Sequence, residues 1–353
     1  MKKNILIATG GSGGHVMPAT FFYDIISKEF STYFVSDKRG INYLDESIKD
    51  LKIIDTPNLF NNYFLFPIKL LLIFKLTFQS IIFIKKRKIN IVLSTGGYST
   101  LPLCLAAFFL RIKLYLYEPN IIIGKANNFF LPYCTKIFCH SKKIKKIPKI
   151  YINKVLLISP IIRKIFYTKK YKPKNFFTIL VIGGSQGAKI FDNTINKSIV
   201  TLSKIKKIKI LHQTKKLNIN YLKKFYKKYK VVNKVFSYES KVIQLLRKTD
   251  LCITRAGAST LFELIALNIP FITIPITKSS NNHQMENAQF YKKKNCCWVV
   301  KESDLNEIFL FKKLKNILFN KNEFLNKKKC LVKLSKKFKL KKQTEEIIKE
   351  LNE

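Results

Sequence analysis

The sequence makes the same local move twice. At 4–15, "NILIATGGSGGH", a short β-rich run meets a cluster of glycines. It then passes into "VMPATFFYDIIS", whose apolar residues fall at helical spacing with Pro18 in the first turn. At 176–196, "FFTILVIGGSQGAKIFDNTIN", an apolar strand, a GG-x-x-G turn and a helix follow one another again. A strand feeding a helix through a glycine turn opens a doubly wound α/β domain, so two openings predict two such domains. The chain's 353 residues are too many for one ordinary core and enough for two.

Strand-like runs at 90–95, 113–118 and 136–140 follow the first opening, and runs at 208–213, 250–255, 270–276 and 296–300 follow the second. Their alternation with helical stretches predicts parallel sheets covered on both faces. The boundaries are expected at 1–162 for the first domain and 163–335 for the second. A lysine-heavy helical tail at 336–353 is expected to pack back toward the first domain. In such sheets ligands bind beyond the carboxyl ends of the strands, so two facing domains would form a cleft between them.

Charge and cysteine content narrow the function classes. Lys and Arg number 66 against 21 Asp and Glu, a formal +45, which favours an anionic partner. Only six of the 66 are Arg, and the lysines are dispersed along a chain also rich in Ile, Asn, Phe and Tyr, as A/T-rich coding DNA would give. That dispersal argues against a nucleic-acid stripe. The seven cysteines form no C-x-x-C pair and no ligand spacing with the four histidines, so they read as reduced, mostly buried thiols.

The first glycine loop, Gly10, Gly11, Gly13 and Gly14, lacks the G-x-G-x-x-G spacing of a dinucleotide fingerprint and the Gly-Lys-Ser/Thr of a phosphate loop. Asp37 could imitate a ribose-binding acid, which keeps a nicotinamide reading open. What the loop does supply is a side-chain-free turn at a helix N-terminus, with backbone N–H donors and His15 at its edge. "STGGYST" (94–100) and "YEPN" (117–120) end the next strands and place Gly96, Gly97, Tyr98, Glu118 and Asn120 on the same rim. In the second half, "TRAGASTLFELIAL" (254–267) turns from Arg255 through small residues into a helix carrying Thr260 and Glu263 three apart. Glu263 is expected in the first turn, as a dipole partner or as an acceptor for ribose hydroxyls. "NNHQMENA" (281–288) adds His283, Gln284 and Asn287, side chains suited to sugar hydroxyls.

Taken in order, GGSGGH, STGGY, E-x-N, GGSQGA, HQT, RAGASTLFE and NHQxxNA span about residues 5 to 290, and the set resembles the MurG family, the lipid I N-acetylglucosaminyltransferases of bacterial cell-wall synthesis. The resemblance implies the GT-B architecture of two facing Rossmann-like domains. It also implies inverting transfer of N-acetylglucosamine (GlcNAc) from UDP-GlcNAc to the C4 hydroxyl of the muramoyl sugar of lipid I, giving lipid II. It implies that Ser185 and Gln186 lie near the donor, Arg255 and Ala258 near the uracil, and Ser259 and Thr260 near the diphosphate. Glu263 would take the ribose hydroxyls, and His283, Gln284 and Asn287 would line the sugar. Ser12, Gly13, Gly14, Asn120 and Arg163 join the substrate-binding set. Gly13, Gly14, Gly96, Gly97 and Tyr98 would receive the acceptor diphosphate, with His15 as general base and Glu118 as its rival. No D-x-D pair is present, so no metal and no cofactor is expected, helix N-termini serving the leaving UDP instead.

The resemblance further implies work at the cytoplasmic face of the inner membrane, as a peripheral protein on an anionic surface, alongside other cell-wall synthesis proteins and without nucleic acid. "YFLFPIKLLLIFKLTFQSIIFIKKRK" (63–88) fits that role. Its internal lysines argue against a spanning helix, leaving a core helix or one lying in the membrane interface. Four positions depart from the family pattern: Pro119 for Gln, Ile162 for the phosphate-facing Arg, Lys215 for Gly and Ala256 for Ser. Other readings stay open: a related GT-B transferase with another UDP-sugar or lipid acceptor, and a non-catalytic basic membrane-binding protein.

Overall fold

The computed structural model describes residues 2–44, 48–57, 63–162, 175–184, 189–237, 239, 242–277, 282–338 and 340–353. The chain divides into two compact units, Met1–Ile161 with Lys339–Glu353, and Ile162–Phe338. Each is built on its own parallel sheet.

In the first unit the strands are β1 (Asn4–Ala8), β2 (Ser31–Ser36), β3 (Leu51–Ile53), β4 (Ile91–Ser94), β5 (Lys113–Glu118), β6 (Lys136–Cys139) and β7 (Val155–Leu157), in the spatial order 3-2-1-4-5-6-7. Its helices are α1 (Gly13–Ile26), α2 (Lys38–Ile41), α3 (Phe66–Lys86), α4 (Leu101–Phe109) and α5 (Lys125–Phe130). Strand order reverses between β1 and β4, which pair in parallel from Ile5 with Ile91 to Ala8 with Ser94. That reversal is the switch point where such sheets open a crevice. Phe22, Phe34, Tyr115 and Phe138 fill one face of the sheet. The C-terminal helix completes that face with Ile347, Ile348 and Leu351, and Tyr115 Oη donates to the Glu350 carbonyl at 3.1 Å. Gln343 Nε2 adds a bond to the Ser159 carbonyl at 2.8 Å.

The second unit holds β8 (Phe177–Ile182), β9 (Ile208–Gln213), β10 (Val232–Phe236), β11 (Leu251–Thr254), β12 (Phe271–Thr273) and β13 (Cys297–Val299) in the order 10-9-8-11-12-13, again parallel. Helices α6 (Lys189–Ser203), α7 (Ile219–Lys228), α8 (Val242–Arg247), α9 (Ala258–Ala266), α10 (His283–Lys293), α11 (Glu307–Phe319) and α12 (Lys321–Ser335) cover it, and α13 (Leu340–Asn352) is the helix that returns to the first unit. Its switch point falls between β8 and β11.

Helix α3 does not have the burial pattern of a core helix. Its buried residues are Ile73, Thr77, Ser80 and Ile84, while Leu71, Phe74, Phe78 and Ile82 stand 51 to 69% exposed. Thr77 and Ser80 satisfy their hydroxyls on the Ile73 and Leu76 carbonyls one turn back. The small polar residues face the protein and the large apolar ones face outward, the reverse of a core helix. Over 21 residues α3 is long and apolar enough to cross a bilayer, with 22% of its apolar window buried.

Candidate active site

In the first unit the loops after β1, β4 and β5 meet at the switch point, and Asp37, at the end of β2, ties two of them together. Its carboxylate accepts from the Gly11 and Gly40 N–H groups at 2.8 Å each, from Ser99 Oγ at 2.8 Å and from the Arg39 guanidinium. Burial works against this charge, but the Gly11, Ser99, Gly40 and Arg39 donors outweigh it and hold the Asp37 carboxyl below its ordinary range. So employed, Asp37 is the N-cap of α2 and a clamp between loops, with no oxygen left for a ribose. The closeness of the clamp explains Gly10, where a Cβ would stand 2.4 Å from Ser99 Oγ.

His15 is the third residue of α1. Its Nδ1 lies 2.8 Å from the carbonyl oxygen of Thr95, at the end of β4, and that carbonyl can only accept. The neutral ring therefore carries its proton on Nδ1 and presents Nε2 as a base. Thr95 is held in turn, its hydroxyl donating to that of Thr9 at 2.8 Å. Gly96 turns over the imidazole at φ +87°, and a Cβ there would sit 3.4 Å from His15 Cε1. Ser12 caps α1 without a side-chain bond, so the first-turn N–H groups of Gly13 and Gly14 keep their donors for a ligand. Tyr98 lies in the adjoining turn, and burial pushes its phenol up.

Glu118 ends β5. It is 2% exposed, and Oε1 accepts from the Asn120 N–H at 3.1 Å and from Asn120 Nδ2 at 2.9 Å. Oε2 accepts from the Gly124 N–H at 2.8 Å and from Asn127 Nδ2 at 2.9 Å. Both oxygens bind the loop that follows β5, so Glu118 holds that loop in place. Asn127 is the residue the motif reading passed over. Buried beside Glu118, it also donates to the Tyr117 carbonyl at 3.0 Å, and its Oδ1 lies 3.6 Å from where a Gly96 Cβ would be. The spacing from Glu118 to Asn127 crosses a loop, so no helical or strand period marks it in the sequence.

In the second unit the switch point brings together Gly184 and the N-terminus of α9. Gly257 caps α9 in extended backbone with no side-chain bond, so the N–H groups of Ala258, Ser259 and Thr260 open the helix without a side-chain cap. Glu263 is the sixth residue of α9, in the second turn, which removes the first-turn dipole explanation. Arg255 is 8% exposed and committed: Nη1 donates to the Ile274 carbonyl at 2.9 Å and Nη2 pairs with Glu302 at 2.5 Å. Burial opposes ionisation of Glu302, but Arg255 and Thr277 outweigh it and lower its pKa. Arg255 therefore joins the ends of β11, β12 and β13.

Asn287 is 1% exposed and donates to the Ala256 carbonyl at 3.0 Å, anchoring α10 to the turn after β11. Gln284 accepts the Ile276 N–H through Oε1 at 3.1 Å, and His283 begins α10. Ser185, Gln186 and Arg163 lie outside the described residues. Two family departures have local reasons. Lys215 sits at φ −69° and ψ 150°, backbone that any residue adopts, so a glycine is not required there. Ile162 is 2% exposed in the second core, where an arginine would be a buried charge. Among the described residues no group of three or more His, Cys, Asp or Glu converges.

The family models for the glycosyltransferase family 28 N-terminal and C-terminal domains match residues 5–139 and 178–347. A protein of Pelagibacter ubique (strain HTCC1062) is 45% identical over 331 residues, covering 93% of each chain. It is named UDP-N-acetylglucosamine–N-acetylmuramyl-(pentapeptide) pyrophosphoryl-undecaprenol N-acetylglucosamine transferase. This chain belongs to that transferase family. Another member, from Rickettsia bellii (strain RML369-C), is 30% identical over 347 residues, 95% of this chain and 96% of its own. The crystal structure of Acinetobacter baumannii MurG superposes with a TM-score of 0.74 at 21% identity, covering 96% and 95% of the two chains. A UDP-GlcNAc 2-epimerase from Neisseria meningitidis, bound to UDP-GlcNAc, reaches 0.67 at 12% identity over 99% of both chains. These two solved structures share the family's GT-B fold, which this chain has, with the two switch points described above.

Proposed function

We propose that this chain transfers GlcNAc from UDP-GlcNAc to the C4 hydroxyl of the muramoyl sugar in an undecaprenyl-diphosphate-linked acceptor, with inversion. The observation that carries the mechanism is the bond from His15 Nδ1 to the Thr95 carbonyl, which leaves Nε2 basic beside the N-terminus of α1. His15 Nε2 takes the hydroxyl proton as the oxygen attacks the anomeric carbon, whose bond to the UDP oxygen breaks in the same displacement. The acceptor diphosphate lies against the N–H groups of Gly13, Gly14 and Gly97, while the Gly96 N–H donates to Ser94 Oγ at 3.2 Å. Donor diphosphate lies against the N-terminus of α9, whose dipole stabilises the charge growing on UDP. Glu263 accepts the ribose hydroxyls, and Gln284 and His283 face the sugar. Arg255, Asn287 and Glu118 act on the geometry of these groups from behind.

The outward apolar face of α3, bordered by Lys69, Lys75, Lys85 and Lys86, supports peripheral binding to the membrane that carries the acceptor, on its anionic cytoplasmic face. Phe64, Phe108 and Phe109 extend the exposed apolar surface of the same unit. The test is mass analysis of a short-chain lipid I analogue incubated with UDP-GlcNAc. A gain of one N-acetylhexosamine in β linkage supports the reading. An unmodified acceptor, or a product made equally well from another UDP-sugar, rejects it.

A further inference from the structure

The second unit carries a surface that no step of the reaction uses. Helix α12 turns Leu331 and Lys327 inward, and Lys327 Nζ bonds the Asn295 side chain at 2.8 Å. The outward stripe is Leu325, Lys328, Lys329, Val332, Lys333 and Lys336, which line a shallow groove of about 380 Å³. Leu325 and Val332 are 52% and 39% exposed and stand two turns apart with lysines between them. The one acidic residue of α12, Glu323, is withdrawn from this stripe, since it accepts the Trp298 indole N–H at 2.6 Å. Just before α12, Phe319 at the end of α11 is 61% exposed.

We infer that this face of α12 is a second contact with an anionic lipid surface, made by the second unit independently of α3. The inference rests on the reading that the enzyme works at a membrane. Charge complementarity selects the occupant: the stripe holds four lysines and no carboxylate. Isolated apolar side chains between lysines suit a fluid interface, into which Leu325 and Val332 dip while the lysine stems lie along the acyl boundary with their ammonium groups among the phosphates. The core of a protein–protein interface is depleted of lysine and enriched in aromatic residues, whereas four of these six residues are lysine and none is aromatic. A lysine at such a surface changes the partition coefficient about fivefold, from about 1 kcal/mol each.

The experiment is flotation of the full chain with phosphatidylcholine vesicles, with and without phosphatidylglycerol, at low salt. The test variant combines Lys328→Glu, Lys329→Glu, Lys333→Glu and Lys336→Glu. A second variant carries Gln at the same four positions in case charge reversal disturbs folding, and an unchanged UDP-GlcNAc dissociation constant reports an intact second unit. The expected result is a loss of more than about tenfold in partition onto the anionic vesicles, with no change on phosphatidylcholine alone. Unchanged partition of both variants overturns the inference, and if they also lose binding to polyglutamate the surface serves an acidic protein instead. Phe74→Ser with Phe78→Ser in α3 separates the two claims. Loss of binding in the α3 variant alone leaves the membrane reading standing and removes α12, whereas loss in neither rejects both.

Discussion

His15 Nδ1 stands 2.8 Å from the Thr95 carbonyl oxygen, and this bond joins the helix that follows β1 to the end of β4. It fixes which ring nitrogen is basic and where it points. His15→Ala should lower turnover about 100- to 10,000-fold, the usual share of a general base, while the UDP-GlcNAc dissociation constant stays nearly unchanged. Steady-state kinetics with calorimetric donor binding checks this, and full activity in the variant removes His15 as the base.

Glu118 should behave as a positioning residue. Glu118→Gln keeps the shape but places an amide where the Gly124 and Asn127 donors, or the Asn120 donors, need an oxygen. Unsatisfied buried groups cost about 1 to 3 kcal/mol, so the variant should melt earlier and show a raised acceptor KM while keeping the pH profile of the parent. A lost acidic limb in that profile, with unchanged stability, would return Glu118 to the chemistry.

Glu263 sits one and a half turns into α9, past the uncapped N–H groups. Glu263→Ala should weaken UDP-GlcNAc binding about tenfold to a hundredfold, as the loss of hydrogen bonds to a charged group predicts, and leave acceptor affinity almost unchanged. Equal losses on both substrates would sink the assignment.

Acid should destabilise the fold through carboxylates held below their ordinary pKa values. Asp37 is one. Asp192 is another: burial opposes its charge, but His212, Thr214 and Asn218 outweigh it. Glu302, paired with Arg255, is the third. Because the folded values lie below the unfolded ones, the stabilisation is complete above the unfolded values of 3.8 and 4.5. It drains away as pH falls from there through the folded values. Urea unfolding should therefore be nearly flat in pH down to about 5 and steepen below, with a shallower acid slope for Asp37→Asn. An unchanged slope in that variant would show that Asp37 is not held as described.

Much of this was legible because the two strand, glycine and helix openings and the later apolar runs declare their own period. Strands β3 and β10 escaped because "LKI" and "VNKVF" are edge strands whose partly exposed residues give no apolar run, and β7 because "VLL" runs straight into the apolar "ISPII" that marks the domain boundary. At the site, the types of residue were legible and their commitments were not. Arg255 and Asn287 read as ligand contacts until Glu302 and the Ala256 carbonyl take up their donors, and those partners lie far away in sequence. The direction in which α3 faces was equally hidden, since Thr77 and Ser80 look like interruptions of an apolar stripe and are in fact the buried side.

The measurement that bears most directly on the account is the rate of UDP release from UDP-GlcNAc, with and without a lipid I analogue, in EDTA, for the parent and for His15→Ala. The account predicts release that requires the acceptor, persists in EDTA and collapses in the variant at unchanged donor affinity. Acceptor-independent release, or equal rates in the two proteins, would contradict it.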